Sequence, residues 1–476
     1  MTTTNNKPLV VDLDGTLIQT DLLIESVLAL IKHNLLYVFL LPIWLLKGKA
    51  KLKHEIASRV DIDASLLPYQ DNFLEYLKAE HVNGRRLILA TASNEKFAHS
   101  IAHHLGIFAD VLASDDQINL SGQHKLEGLQ RALGNQNFVY AANAMVDLRV
   151  WEGADSAVLV NPEPGVIKAV QDHVENPLVF ETPDLNSVKN YIKALRFHQW
   201  LKNFLIFIPL LMAHKFYDLQ LLSQVFVGFI AFGLCASSVY LLNDLLDLAD
   251  DRQHPTKRHR PFAAGTISIL KGTLLIPVLL IAAFGLSLLL PLEFTGVLAL
   301  YYAITIAYSL YLKRFAPIDI LTLAGLYTIR VIAGAAAVSI MPSFWLLAFS
   351  MFVFLSLALV KRFTELLKLQ HQHQTTTRGR GYSTIDLHTL AQFGSASAYT
   401  AVLVLALYIN SDDVTKLYSH PELIWMLCPL VLYLMTRIWL LVHRGELDED
   451  PVVFVIRDRH SLWLVMIGAV LLWLAI

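Results

Sequence analysis

Charged side chains are scarce in this sequence. They make up 16% of its 476 residues, where an ordinary globular chain carries roughly 25%. With 55% hydrophobic residues and a mean hydropathy of +0.49, that deficit argues against a wholly water-soluble protein. Cysteine is almost missing. Cys235 and Cys428 both sit in apolar runs, which excludes a disulfide framework and a cysteine-based metal site. The net charge is −2, so bulk electrostatics give no case for a nucleic-acid partner. The polar start, Met1–Pro8, has no apolar core of a cleaved export signal.

What is present changes character near residue 190. Before it, short apolar runs alternate with polar, helix-like stretches. Leu9–Val11, Leu87–Ala90, Val111–Ala113, Phe138–Ala141 and Ala157–Val160 read as buried strands. That rhythm predicts an α/β domain with a parallel, Rossmann-like sheet over 1–175. Residues 176–190 read as linker. From 191 to 476 the chain reads as an all-α membrane bundle. Its nine candidate spans are 198–213, 220–243, 267–290, 292–311, 318–339, 343–360, 389–409, 421–442 and 460–476. Most approach the roughly 20 residues needed to cross a bilayer. Pro209, Pro277 and Pro429 fall inside spans, where neighbouring helices tolerate them.

Lysine and arginine divide the loops into two sets. The loops 244–266, 312–317, 361–388 and 443–459 hold 14, whereas 214–219, 291, 340–342 and 410–420 hold two, Lys215 and Lys416. The rich set is expected to be cytoplasmic, with the N-terminal domain on the same side of a cell (inner) membrane. Residues 35–46 (LLYVFLLPIWLL) are strongly apolar but too short to span. They read as a helical cap on the first domain; the alternative is a helix lying on the bilayer surface.

The densest polar signal is NDLLDLADDRQHPTKRHRPFAAG (243–265), at the end of the second candidate span. On one continuous helix, Asp244, Asp247 and Asp251 share a face. Three carboxylates against a membrane span need a counter-charge. Hard oxygen ligands in a partly hydrated site suit Mg²⁺, which bridges to diphosphate. Arg252, His254, Lys257, Arg258 and Arg260 follow as cations for phosphate oxygens.

This stretch resembles the first aspartate-rich motif of the UbiA superfamily of intramembrane prenyltransferases, through D-R-x-H-P-T-K-R-x-R-P to Gly265. Three more segments resemble the branch that transfers phosphoribose to decaprenyl phosphate: RFHQWLKNFLIFIPLL (196–211), YSLYLKRFAPIDILTLAGLYTIRVIAGA (308–335) and ALVKRFTELLKL (358–369). Aromatic prenyltransferases carry a second acidic pair in the last of these; here Lys361, Arg362 and Glu365 stand instead. The resemblance implies attack by a polyprenyl phosphate on C1 of 5-phosphoribosyl diphosphate, with diphosphate leaving. It implies Mg²⁺ on Asp244, Asp247 and Asp251, with Asn243 orienting a ligand. Lys257, Arg258 and Arg260 would neutralise diphosphate or the lipid phosphate. Lys202, Arg330, Lys361 and Arg362 are candidates for the remaining phosphates. Tyr308, Lys313 and Asp319 are weaker candidates.

In the first domain, VVDLDGTL (10–17) resembles motif I of the haloacid dehalogenase superfamily of phosphatases. Asp12, at a strand end, can attack phosphorus, and Asp14 can serve as general acid and base. The resemblance assigns phosphate binding to Thr91, with Ser93 near it, and phosphate neutralisation to Lys125. It assigns Mg²⁺ to Asp12, Asp14, Asn143 and Asp147. Asn143 stands where the family has aspartate, so metal affinity is expected to fall. A fused phosphatase could remove the phosphate left on lipid-linked phosphoribose.

Two alternatives differ in class: a polyprenyl-diphosphate transferase acting on an aromatic acceptor beside a non-catalytic N-terminal domain, and a membrane scaffold. Ionisable groups gather on one side rather than along a pore, which disfavours a channel. His371 and His373 lack further ligands nearby, so Gln370–Gln374 reads as loop. Self-association is compatible with the sequence.

Overall fold

The computed structural model describes residues 7–134, 136–183, 185–373, 375, 380–411, 414, 417–447 and 450–476. The chain forms two compact units. One comprises Met1–Leu195 with Tyr240–Ile276; the other comprises Arg196–Val239 with Pro277–Ile476.

In the first unit, six parallel strands form one sheet in the order β3-β2-β1-β4-β5-β6. They are β1 (Leu9–Val11), β2 (Leu87–Asn94), β3 (Asp110–Ser114), β4 (Val139–Ala142), β5 (Ser156–Val160) and β6 (Leu178–Phe180). The central strands are continuous apolar runs because both sheet faces are covered, one by Leu13, Leu17 and Phe97, the other by Leu129, Trp151 and Val166. β1 lies between β2 and β4, so the chain reverses its direction of travel across the sheet there. The crevice beyond the carboxyl ends of such strands is where α/β sheets bind ligands. β6 falls in the stretch read as linker. Three residues show no alternation, yet Phe180 pairs with Val160.

Helices between β1 and β2 form the cap. The first, α1 (Leu22–His33), is capped by Asp21, whose side chain accepts from the Ile24 amide at 3.0 Å. Residues 35–46 form two short helices, Leu35–Phe39 and Leu41–Leu46, rather than one. Tyr37, Leu41 and Trp44 pack inward against Leu30, Ile56 and Val60. The opposite face is exposed.

Among the described residues, seven helices are long and apolar enough to cross a membrane. They are Leu219–Leu246, Ile269–Ser287, Leu292–Leu310, Ala316–Ala337, Phe344–His371, Thr384–Ile409 and Pro421–His443; Pro451–Arg457 with Arg459–Ala475, bent by 78°, makes an eighth if counted as one span. The protein is an integral membrane protein. The expectation of nine is not met at 198–213, where a 3-10 helix, Phe197–Phe207, leads into the short helix Ile208–Met212. Polar side chains account for the difference. Lys202 and Asn203 are buried within the second unit, where they serve as partners for other polar groups. Irregular backbone at such a place is stable because protein, not lipid, surrounds it. Gly334 is required alongside, since a Cβ there would overlap the Ile206 carbonyl.

The helix Phe344–His371 also runs further than the candidate span 343–360, so Lys361 and Arg362 lie on a helix, not in a loop. Lys416, Arg378 and Gln374 lie outside the described residues.

Candidate active sites

The first site opens where β1 ends. The Asp12 amide donates to the Ala141 carbonyl at 2.9 Å, which extends the ladder by one bond and places the carboxylate at the crevice. Lys125, near the start of α2 (Gln123–Leu133), donates to Asp12 Oδ1 at 2.9 Å and to Asp147 Oδ1 at 3.0 Å. Tyr140 completes the cluster: its hydroxyl donates to Asp147 at 2.8 Å and accepts from Lys125 at 2.8 Å. All four are buried. A cation between two carboxylates offsets what would otherwise be a large desolvation cost.

Asp14 accepts from the Leu22 amide at 2.8 Å and from the Ser93 hydroxyl at 2.6 Å. Burial raises its pKa to about 7, with the neighbouring Asp21 acting in the same direction. Burial likewise raises Asp12 to about 6, although Lys125 opposes it. Both carboxyls are held well above the ordinary carboxylate range, so each can change its protonation state near neutral pH.

Thr91 is buried within β2, its hydroxyl oxygen accepting from the Ser93 amide at 3.0 Å. Gly15 has φ +74°, and a Cβ on it would collide with the Asn143 side-chain amide. Thr16 donates to Asn143 Oδ1 at 3.3 Å. Asn143 thus lies against the D-x-D-G turn. Sequence reasoning missed Tyr140, whose signal was only an aromatic in a buried strand. It also missed Lys53 of the cap, which reaches Asn119 Oδ1 at 2.6 Å and lines a small cavity with Ser93 and Asn94. Nothing marks Lys53 among the cap's other lysines.

The acidic segment also belongs to the first unit, and its geometry departs from a single helical face. Asp247 has φ −100° and ψ 16°, a kink between Leu219–Leu246 and the short helix Leu248–Gln253. Asp244 and Asp251 still converge. Arg260 Nη1 donates to Asp244 Oδ1 at 3.1 Å and to Asp251 Oδ2 at 2.7 Å. Asp247 instead accepts from Lys32, at the end of α1, at 3.0 Å, and Asp250 accepts from the same amine at 2.7 Å. Arg252 forms a two-bond pair with Glu25 of α1. Burial raises the Asp251 pKa, and Arg260 opposes the shift. Asn243 is half-buried, while Lys257 and Arg258 are exposed.

The second unit holds the other predicted cations in three settings. Lys202 donates to Asp450 Oδ2 at 2.6 Å, and Lys361 stands 3.5 Å from the same oxygen. The Tyr327 hydroxyl donates to the Asp450 carboxylate at 3.1 Å. Arg362 is engaged elsewhere: it pairs with Asp319, donates to Tyr308 at 2.7 Å and meets Glu365. Arg330 donates to Asn203 Oδ1 at 3.0 Å and to Tyr301 at 3.2 Å, among the rings of Phe232, Tyr301 and Tyr327. Mid-span, that closes a costly charge within protein. Asp450 carried no sequence signal, because no spacing ties it to Lys202 or Lys361.

Among the described residues, no three His, Cys, Asp or Glu side chains stand together as a ready ion cage. Two features nonetheless suit Mg²⁺. Asp244 and Asp251 already share one cationic group. In the other cluster, Asp147 Oδ2 is buried without a hydrogen-bond partner.

Residues 204–475, more than half of the chain, match the UbiA prenyltransferase family. The chain belongs to that family. Residues 9–145 match the haloacid dehalogenase-like hydrolases, so the first unit carries such a domain ahead of the UbiA region. The chain is 36% identical over 466 residues to the uncharacterized protein y4nM of Sinorhizobium fredii, spanning 98% of this chain and 89% of that one. It is 34% identical over 272 residues to the nodulation protein NoeC of Azorhizobium caulinodans, spanning 57% of this chain and 88% of that one. It is 39% identical over 190 residues to a decaprenyl-phosphate phosphoribosyltransferase of Mycolicibacterium smegmatis, spanning 39% of this chain and 59% of that one.

Proposed function

We propose that the UbiA region is a Mg²⁺-dependent phosphoribosyltransferase. It moves phosphoribose from 5-phosphoribosyl diphosphate to a polyprenyl phosphate, and the haloacid dehalogenase-like domain then removes the ribose-bound phosphate. One observation carries the reading. Where an aromatic prenyltransferase has a second acidic pair, this chain has Lys361, and Lys361 and Lys202 converge on one carboxylate. With Asp450 as their shared counter-ion, the two amines keep one net positive charge that can attract an anion such as a phosphate. The partial likeness to the mycobacterial enzyme supports the same donor.

In the transfer, a phosphate oxygen of the lipid forms the new bond to C1 of ribose while the bond from C1 to the diphosphate oxygen breaks. Mg²⁺ held by Asp244, Asp247 and Asp251 would supply neutralising charge for the departing diphosphate. Arg260 and Lys32, which now neutralise these carboxylates, would be released to phosphate oxygens if the ion took their place. Asn243 orients a ligand beside them, and Lys257 and Arg258 add exposed positive charge.

In the hydrolysis, Asp12 attacks phosphorus and Asp14 donates its proton to the leaving ribose hydroxyl. Asp14 then takes a proton from the water that cleaves the aspartyl phosphate. Thr91 and Lys125 hold the transferred phosphate. Asp12, Asp147 and Asn143 would hold the Mg²⁺ of this site, with the Asp14 backbone nearby. The lysine and arginine asymmetry of the loops supports a cytoplasmic side for this domain at an inner membrane.

The hydrolytic half is tested by supplying lipid-linked phosphoribose to the purified protein and measuring free phosphate. Release that is lost in Asp12→Asn is expected. No release, or equal release from the variant, contradicts it.

A further inference from the structure

The cap of the first unit has an outer face that no described residue covers. Leu35, Leu36, Phe39, Ile43, Leu45 and Leu46 all lie on it, and Leu36, Phe39 and Leu46 are 67%, 73% and 89% exposed. Elsewhere between residues 7 and 195, exposed large apolar side chains among the described residues occur singly or in pairs. A contiguous apolar surface of this kind marks an interaction site.

The geometry makes the face rigid. Tyr37, Leu41 and Trp44 anchor the two short helices on Leu30, Ile56 and Val60, and the Arg59 guanidinium sits 4.9 Å from the Trp44 ring centre. The helices break at Leu40, and Pro42 lies in the first turn of the second. Side chains on the inner side are fixed, so those on the outer side cannot fold back.

Charge identifies the partner. From Ser26 to His54 there are five lysines and no acidic residue. Lys47 and Lys49 are exposed at the end of the apolar run, whereas Lys32, before its start, is held by Asp247 and Asp250. Apolar side chains flanked by lysine are the pattern of an element lying in the headgroup region of an anionic bilayer. The chain also crosses a membrane itself, which keeps a lipid surface at high effective concentration.

We propose that residues 35–46 form a membrane-dipping hairpin that seats the phosphatase-like domain on an anionic lipid surface. A hydrolase seated there reaches a phosphate carried on a lipid, which a water-facing site reaches poorly. The inference does not depend on which lipid the UbiA region modifies.

The test uses the whole chain reconstituted in vesicles of phosphatidylethanolamine and phosphatidylglycerol. An environment-sensitive fluorophore is attached at Leu36→Cys, at Phe39→Cys and, as a water-facing reference, at Glu75→Cys. Glu75 is exposed, while Cys235 and Cys428 are buried and should stay unlabelled. The probes at 36 and 39 should emit at shorter wavelength. They should lose emission when the acyl chains carry bromine and resist iodide in the buffer. The probe at 75 should behave oppositely. In vesicles of phosphatidylcholine alone, or with Lys47→Glu and Lys49→Glu together, quenching by bromolipid should fall. If the probes at 36 and 39 respond to iodide like the one at 75, the proposal fails. It also fails if they are shielded from both quenchers, the result expected when a second copy of the chain covers the face.

Discussion

Asp12 and Asp14 differ in what surrounds them, and that difference sets a pH window. Asp12 must be ionised to attack, and burial raises its pKa to about 6. Asp14 must be protonated to donate, and burial raises its pKa to about 7. A carboxylate with a raised pKa acquires its charge only above that pKa, so activity should climb through about 6 and fall above about 7. A profile of kcat/KM for phosphate release against pH checks this. Added Mg²⁺ should move the lower limb to lower pH, because a cation near Asp12 favours its ionised form. Asn143 makes a second prediction. It lies against the Gly15 turn and offers only a neutral oxygen. Asn143→Asp should lower the Mg²⁺ concentration needed for half-maximal release, and an unchanged requirement would remove residue 143 from the metal site. These residues were readable in the sequence because strand, spacing and chemistry coincide within a few positions. Lys53 and Asp450 were not, since each meets its partners only through the fold.

The elements show why local pattern has limits. A helix through Asp244, Asp247 and Asp251 was the natural reading, but the backbone kinks at Asp247, which pairs with Lys32 while Asp244 and Asp251 share Arg260. The cause lies far off in sequence. α1 begins with the Leu22 amide on Asp14 and ends with Lys32 on Asp247 and Asp250. Midway, Glu25 pairs with Arg252, both nearly buried. Removing one partner of such a pair costs about 3–5 kcal/mol, because the other charge stays buried alone. Glu25→Ala should therefore lower the thermal unfolding midpoint, and adding Arg252→Met should restore much of the loss. If the double variant is no more stable than the single one, the pair does not hold this segment to α1. The segment 198–213 teaches the same lesson from the other direction. Its hydropathy resembles that of a span, but Lys202 and Asn203 need polar partners, so the chain takes up a tight 3-10 path beside Gly334.

At the scale of the molecule, the sequence divides by composition, and this much of the architecture was plain. Eight of the nine apolar runs coincide with the seven spans and the bent pair, because roughly 20 apolar residues have few fates other than a membrane. The extension of Phe344–His371 past residue 360 was not legible, because charges that look like a loop are paired inside the protein. Under the proposed function, joining the UbiA region to the haloacid dehalogenase-like domain raises the local concentration of one site's product for the other. The most direct test supplies ribose-labelled phosphoribosyl diphosphate and decaprenyl phosphate to the reconstituted protein, with and without Mg²⁺. A labelled lipid that requires Mg²⁺ and is lost in Asp244→Ala and Asp247→Ala is expected. Phosphoribosyl transfer is contradicted if no label reaches the lipid while a polyprenyl diphosphate and an aromatic acceptor yield product, or if the two variants transfer label as the wild type does.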